Sequence, residues 1–74
     1  MNKPLPAIVE SVQALQTQLR TEPDPQKRAR WQALYLLASG QAPSRLALAQ
    51  LLAVHRHTLQ TWLKLYEEGG LGAL

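Results

Sequence analysis

Cysteine is absent from the sequence, so disulfide bonds and metal sites built on thiolates are excluded. The chain has only two histidines, His55 and His57. Successive residues of a helix are rotated by about 100°, so on a regular helix these two side chains point in nearly opposite directions. No carboxylate or thiol stands beside them to complete a metal site. We therefore predict no metal and no cofactor.

Catalytic constellations are missing as well. The chain shows no serine–histidine–acid set and no cluster of acidic residues, so we expect no enzymatic activity and no small-molecule substrate. Long apolar runs are also absent: the longest are short pieces such as "ALYLLA". The first residues, "MNKPLPAIVESV", lack the apolar stretch of a signal peptide. The expectation is a cytoplasmic protein with no membrane partner, and 74 residues suffice for one small domain.

Acidic residues are missing from one long stretch, residues 25–66. That stretch holds six of the eight basic residues of the chain: Lys27, Arg28, Arg30, Arg45, Arg56 and Lys64. The five acidic residues all lie before or after it. A surface made only for solubility usually mixes the two signs, so this segregation indicates a polyanionic partner, most simply nucleic acid.

Apolar residues recur at helical spacing in four segments that prolines and glycines separate. Asp24 and Ser44 are suited to begin helices, while Gly40 and the pair Gly69–Gly70 are suited to end them. No segment alternates apolar and polar residues with the period of a strand. The sequence predicts an all-α domain of four helices. The apolar positions are Ile8, Val12, Leu15 and Leu19; Trp31, Leu34, Tyr35 and Ala38; Leu48, Leu51 and Leu52; and Leu59, Trp62, Leu63 and Tyr66.

Residues 44–64 have the pattern of two short helices joined by a tight turn near Ala53. Small Ala49 lies in the middle of the first helix, where a second helix could cross closely. Leu48 and Leu52 lie beside it, and Leu59 and Trp62 return from the second helix. This pattern predicts a homeodomain-like helix-turn-helix over residues 23–74, after an N-terminal amphipathic helix in residues 1–22. An ordinary helical hairpin is the alternative.

Two stretches of the sequence resemble a known family. "LAQLLAVHRHTLQTWLKLYEEGGLGAL" resembles the N-terminal helix-turn-helix DNA-binding region of bacterial insertion-sequence transposases related to the mariner group. "RARWQALYLLASGQ" resembles the helix that precedes the motif in those proteins. The resemblance covers about residues 24–74. It implies recognition of the ends of a mobile element, with cutting and joining left to a downstream domain that carries three acidic metal ligands.

The sequence departs from that family in two ways. Ala53 stands where the family usually has glycine, and a left-handed turn there would cost a non-glycine residue on the order of 1 kcal/mol. The sequence also stops at Leu74, before any catalytic region. A fragment, a truncated element and a free-standing transcriptional regulator all fit that end point. A helical protein-interaction module is a further alternative.

The predicted recognition helix, about residues 56–68, has an outward polar face. His57, Gln60, Thr61 and Lys64 lie opposite its apolar residues, and this composition suits the major groove of double-stranded DNA. Arg56 flanks the face, and Thr58 is a further candidate. Gln pairs with adenine, Lys donates to guanine acceptors, and the Thr methyl meets that of thymine.

Further candidates surround this helix and are expected to contact phosphates, which position a protein without reading sequence. His55 occupies the turn at the helix start, either packed near Val54 and Trp62 or close to a phosphate. The openings of the preceding helices supply the others: Lys27, Arg28 and Arg30, and Ser44 and Arg45.

The first helix carries a narrow apolar stripe made of Ile8, Val12, Leu15 and Leu19. A narrow stripe resembles the seam between two paired helices, and paired DNA half-sites suit a two-fold dimer. We therefore predict a homodimer through residues 5–19. The alternative is that the stripe folds back onto Trp31 in the core of one molecule.

Overall fold

A computed structural model describes residues 6–74, and all the regular secondary structure in this part of the chain is helical, without a strand. Its four α-helices are joined by short connections, and a single turn of 3₁₀ helix follows the last. The all-α, four-helix prediction is confirmed. Within residues 6–74, none of the helices has the length and apolarity needed to cross a bilayer. The helices are α1 (Val12–Thr21), α2 (Pro25–Ala38), α3 (Arg45–Leu52) and α4 (Arg56–Gly69), with the 3₁₀ turn at Leu71–Ala73.

The helices begin where the sequence supplies an N-cap. Ser11, Asp24 and Ser44 precede α1, α2 and α3, and each side-chain oxygen accepts a backbone N–H of the first turn, at 3.1, 2.9 and 3.1 Å. These bonds satisfy amide groups that a helix start leaves without a partner. Pro25 lies at the first position of α2, where its missing N–H costs nothing.

The first helix begins later than its apolar stripe predicts. Ile8 lies before the helix, in a segment without regular structure, and α1 starts only after Ser11. The N–H of Val9 is bonded instead to the hydroxyl of Tyr66, at 3.1 Å. Helical spacing alone placed Ile8 in the helix, because spacing takes account neither of the N-cap at Ser11 nor of this long-range contact.

Two helices end in the same left-handed turn. After α2, Gly40 has a φ of 76°, and the N–H of Gln41 reaches back to the Leu36 carbonyl at 3.0 Å. After α3, Ala53 has a φ of 56°, and the N–H of Val54 reaches the Ala49 carbonyl at 3.1 Å. Ala53 therefore has the left-handed conformation that is costly to a non-glycine residue.

The core has two parts. The turn cluster joins α2, the following loop, α3 and α4; it consists of Ala33, Ala42, Leu48, Ala49, Leu59 and Leu63. The N-terminal cluster joins α1, α2, α4 and the chain end; it consists of Leu15, Trp31, Leu34, Tyr66 and Leu74. The sequence pattern placed Trp62 in the core, but its side chain is only half-buried. It packs against both clusters and so links them.

The apolar stripe of α1 belongs to this core. Leu15 is 0% exposed and lies in the N-terminal cluster, with Ile8 and Leu19 packed against it. Val12 is exposed, and Leu5 lies outside the described residues. The predicted dimer seam is therefore not a free surface, because pairing a second molecule on Leu15 would first require taking it out of the core. The alternative, the stripe folded back beside Trp31, is the arrangement found.

Candidate nucleic-acid interface

The polar side chains predicted to read DNA lie together on the outer side of α4. Arg56, His57, Gln60, Thr61 and Lys64 are all exposed, and so is Thr58. The opposite side of the helix is buried: Leu59 and Leu63 lie in the turn cluster, and Tyr66 lies in the N-terminal cluster. The helix is therefore amphipathic, with its polar side free to meet a partner.

The packing of α3 against α4 determines which side of α4 faces outwards. Leu48 and Ala49 of α3 are buried against Leu59 and Leu63. The small side chain of Ala49 allows the two helices to approach closely, as the sequence predicted. The short turn through Ala53 and Val54 leaves little freedom for α4 to rotate. This is the geometry of a helix-turn-helix, in which the second helix is presented to the groove.

His55 is the N-cap of α4. Its Nδ1 atom accepts the backbone N–H of His57 at 3.0 Å. In a neutral imidazole the other nitrogen, Nε2, must then carry the proton and act as a donor. The ring is exposed, so it does not pack into the core beside Trp62. A donor at the start of α4 suits a phosphate oxygen.

The two histidine rings lie near each other at the start of α4. Their centroids are 6.4 Å apart with an angle of 65° between the planes, and the Nδ1 of His55 already accepts a hydrogen bond. Residues 6–74 contain no group of three or more histidine and acidic side chains that could hold a metal ion.

The two threonines of α4 differ in what they offer. The hydroxyl of Thr61 donates to the His57 carbonyl within the helix, at 3.1 Å. Its proton is therefore engaged in the helix, and the methyl group and the oxygen lone pairs are what it can offer a base. Thr58 is exposed at the first turn, close to Arg56 in the chain.

A family model described as a winged helix-turn-helix matches residues 30–74. The chain belongs to this family. Its helix-turn-helix is therefore a domain of the DNA-binding type. No curated protein and no solved structure matches the chain. The relation to mariner-group transposases is a finer assignment that the family match does not reach.

The basic residues at the start of α2 of this winged helix-turn-helix chain differ in their contacts within the protein. Lys27 is exposed. Arg28 is exposed too, but its guanidinium donates to the Glu22 carbonyl at 3.0 and 3.3 Å, which ties α2 to the end of α1. Only Lys27 of this group thus matches the simple expectation of a free cation.

Arg30 turns towards the protein. Its Nη1 atom donates to the main-chain oxygen of Leu74 at 2.8 Å, and its guanidinium carbon lies 5.9 Å from the ring centroid of Trp62. The Nε atom is buried without a partner. The side chain thus joins α2, α4 and the chain end, a role that a basic residue in a basic stretch does not reveal. To contact a phosphate as predicted, Arg30 would have to give up these contacts with Leu74 and Trp62.

Ser44 and Arg45 open α3 as predicted. The hydroxyl of Ser44 is used as the helix cap, and the residue remains exposed. Arg45 is the first residue of α3 and is half-buried. Both stand at the start of the helix that precedes α4, where backbone N–H groups favour an anion.

Tyr66 is the residue whose importance the sequence did not reveal. It is 5% exposed, its hydroxyl donates to the carboxylate of Glu10, and the same oxygen accepts the N–H of Val9. Burial, followed by the hydrogen bond to Glu10, raises the pKa of Tyr66 above its ordinary value of 10.0. The helical pattern places Tyr66 on the apolar face but says nothing of partners 56 and 57 residues away.

Proposed function

We propose that this chain binds double-stranded DNA in a sequence-specific manner, with α4 in the major groove. The observation that carries the proposal is the exposed polar side of α4 opposite its buried apolar side. The lack of acidic residues over residues 25–66 supports it, because that stretch contains the polar side chains of α4 from Arg56 to Lys64, and the acidic Glu67 and Glu68 follow only in its last turn. Cations near phosphates release counterions and give affinity to such a surface.

The side chains of α4 have separate roles in this proposal. Gln60 and Lys64 read base edges, through paired hydrogen bonds to adenine and through donation to guanine acceptors. His57 and Thr61 lie on the same outward side and supply further base contacts. Arg56 serves a phosphate or a base at the helix start. Lys27, Ser44, Arg45 and His55 hold the backbone and position the helix.

The finer role we propose is recognition of the ends of an insertion sequence, as the first domain of a transposase. The support is the resemblance of the "VHRHT" turn, the "WLKLY" helix and the "EEGGLGAL" segment to that family. A stand-alone transcriptional regulator would use the same interface. The DNA that flanks the reading frame separates the two roles, since a transposase gene is bordered by inverted repeats and continues into codons for acidic metal ligands.

Selection from a random duplex library tests the proposed DNA binding directly. We expect one family of related sequences to be enriched, and the affinity for the enriched duplex to fall steeply between about 50 and 200 mM salt. Failure to bind any duplex, or binding that salt leaves unchanged, would overturn the proposal.

Substitution of the base-reading side chains tests the role of α4. Gln60→Ala or Lys64→Ala is expected to reduce discrimination between the enriched and a scrambled duplex by about 1–3 kcal/mol, with folding unchanged because both residues are exposed. Gln16→Ala, an exposed glutamine on α1, is the matched control and should change neither quantity. Equal loss of affinity for both duplexes would show that Gln60 and Lys64 contact phosphates.

A helical protein-interaction module is a second candidate, and one observation favours it. Leu46 and Leu51 on α3 are 55% and 59% exposed, and exposed leucine side chains are apolar surface on which a partner protein could pack. The library selection and the salt series distinguish this candidate, because a module of that kind gives no duplex enrichment.

A further inference from the structure

The two parts of the core hold α4 in different ways. The turn cluster holds it through Leu59 and Leu63, whose apolar contacts are strong but not directional. The hydroxyl of Tyr66, in contrast, makes two hydrogen bonds, one as a donor and one as an acceptor. Hydrogen bonds weaken steeply as their angle departs from linearity, so this pair restricts the orientation of α4 as well as its position.

The partners of Tyr66 belong to a segment that the family match does not include. Val9 and Glu10 precede α1, whereas the match begins at residue 30. Ile8 and Leu15, on either side of these partners, pack in the N-terminal cluster together with Tyr66. The segment is therefore anchored by apolar contacts next to the point where the hydroxyl holds it.

Because Tyr66 lies far along α4 from the DNA-reading residues, a small tilt of the helix at Tyr66 displaces them by a large amount. Tyr66 and Arg56 are ten residues apart, which corresponds to about 15 Å of helix. A tilt of about 5° centred on Tyr66 would displace the start of α4 by about 1 Å. A displacement of that size takes a hydrogen bond to a base from good geometry to poor geometry.

We propose that Tyr66 is a positioning residue for DNA recognition, which orients α4 by bridging Val9 and Glu10 of the N-terminal segment. The inference rests on the proposed function, since it concerns how the same helix is presented to DNA. Tyr66 lies on the buried side of α4 and does not touch DNA itself. The N-terminal segment thereby becomes part of the recognition apparatus.

Tyr66→Phe tests the proposal because it removes the hydroxyl and leaves the ring in the core. By amide hydrogen exchange, the N–H of Val9 should lose protection, since its acceptor is gone. Discrimination between the enriched and the scrambled duplex should fall roughly three- to tenfold, the range for loss of a hydrogen bond of ordinary net strength. The slope of log affinity against log salt should stay the same, because no cation is lost.

Two further variants make the result specific. Glu10→Ala removes the acceptor of the hydroxyl proton and should reproduce the loss of discrimination, while Glu10→Gln keeps an accepting oxygen and should largely restore it. Tyr35→Phe alters the other tyrosine, half-buried on α2, and should leave discrimination unchanged. These substitutions also guard against a single variant that fails to fold, which circular dichroism would reveal.

Each outcome gives a decision. If Tyr66→Phe abolishes the protection of the Val9 amide from hydrogen exchange but keeps full discrimination, the bridge exists without positioning α4, and the inference is overturned. Unchanged protection of Val9 would overturn it as well, since the bridge would then not hold the segment. If the unaltered protein binds no duplex at all, it is the proposed function that fails, and that reference measurement is made first.

Discussion

Ala53 and Gly40 occupy equivalent positions in two turns of the same kind, but only Gly40 lacks a Cβ atom. Both have a positive φ, and in both turns a backbone N–H reaches back five residues. For an L-residue with a side chain, this conformation places Cβ too close to the backbone. Ala53 is therefore a strained residue in the middle of the helix-turn-helix.

Replacing Ala53 with glycine should relieve that strain. We expect Ala53→Gly to stabilise the fold by about 0.5–1 kcal/mol, the cost of the left-handed conformation less the greater freedom of glycine in the unfolded chain. Urea unfolding at neutral pH measures the change. Gly40→Ala is the reverse control and should destabilise by a similar or larger amount, since nothing lies within 4 Å of the added Cβ and only the backbone conformation opposes it.

The hydroxyl of Tyr66 predicts a dependence of stability on alkaline pH. Its pKa is raised in the folded protein, first by burial and then by the carboxylate of Glu10. Its contribution is therefore fully present below the ordinary pKa of about 10 and is lost as pH rises through the folded value. The free energy of unfolding, measured from pH 8 to above pH 10, should fall less in Tyr66→Phe than in the unaltered protein. Parallel curves would show that the hydroxyl is not held as described.

At the scale of the element, α4 has one side for the core and one for a partner. Leu63 is almost completely buried in the turn cluster, while Leu65, two residues on, is exposed. Leu63→Ala should cost about 2–5 kcal/mol of stability, since it removes buried methyl groups and leaves a cavity. Leu65→Ala should cost much less, and thermal unfolding compares the two. Similar losses would mean that α4 is rotated about its axis relative to the arrangement described.

Much of each helix was predictable because its causes are local. Asp24 and Ser44 begin helices through bonds to amide groups two or three residues away, and Gly40 ends one through its own backbone freedom. The start of α1 also has a local cause in its N-cap Ser11, but the helical spacing of Ile8 and Val12 placed the start earlier. The N–H of Val9 is bonded to Tyr66, 57 residues along the chain, and no local pattern contains that partner.

The whole molecule combines α1 with the helix-turn-helix in a single small fold. Leu15 of α1 is completely buried in the N-terminal cluster. Small domains have a low free energy of unfolding, so we expect the burial of Leu15 to contribute to the stability of the whole fold.

Sedimentation and unfolding together test the assignment of the α1 stripe to the core. The intact chain should be a monomer at concentrations on the order of tens of micromolar, and Leu15→Ala should lower its stability by about 2–5 kcal/mol. Val12→Ala, on the exposed side of α1, is the control and should change little. A dimer that Val12→Ala or Leu15→Ala dissociates would return the stripe to the role of an interface.

The sequence by itself determined the class of fold, the helix-turn-helix and the outward side of α4. Each follows from periodicity, capping and turn residues, whose effects reach only a few positions along the chain. The DNA-reading candidates His57, Gln60 and Lys64 could be named for the same reason: residues opposite a buried stripe must face outwards.

Only the tertiary structure decided the roles of the α1 stripe, of Arg30 and of Tyr66. Arg30 belongs to a basic stretch in the sequence, but in the fold it meets Trp62 and the main-chain oxygen of Leu74. Tyr66 is one more residue of an apolar stripe until Val9 and Glu10 are brought to its hydroxyl. These roles depend on which groups meet across the folded chain, and packing of the whole molecule, not local sequence, determines those contacts.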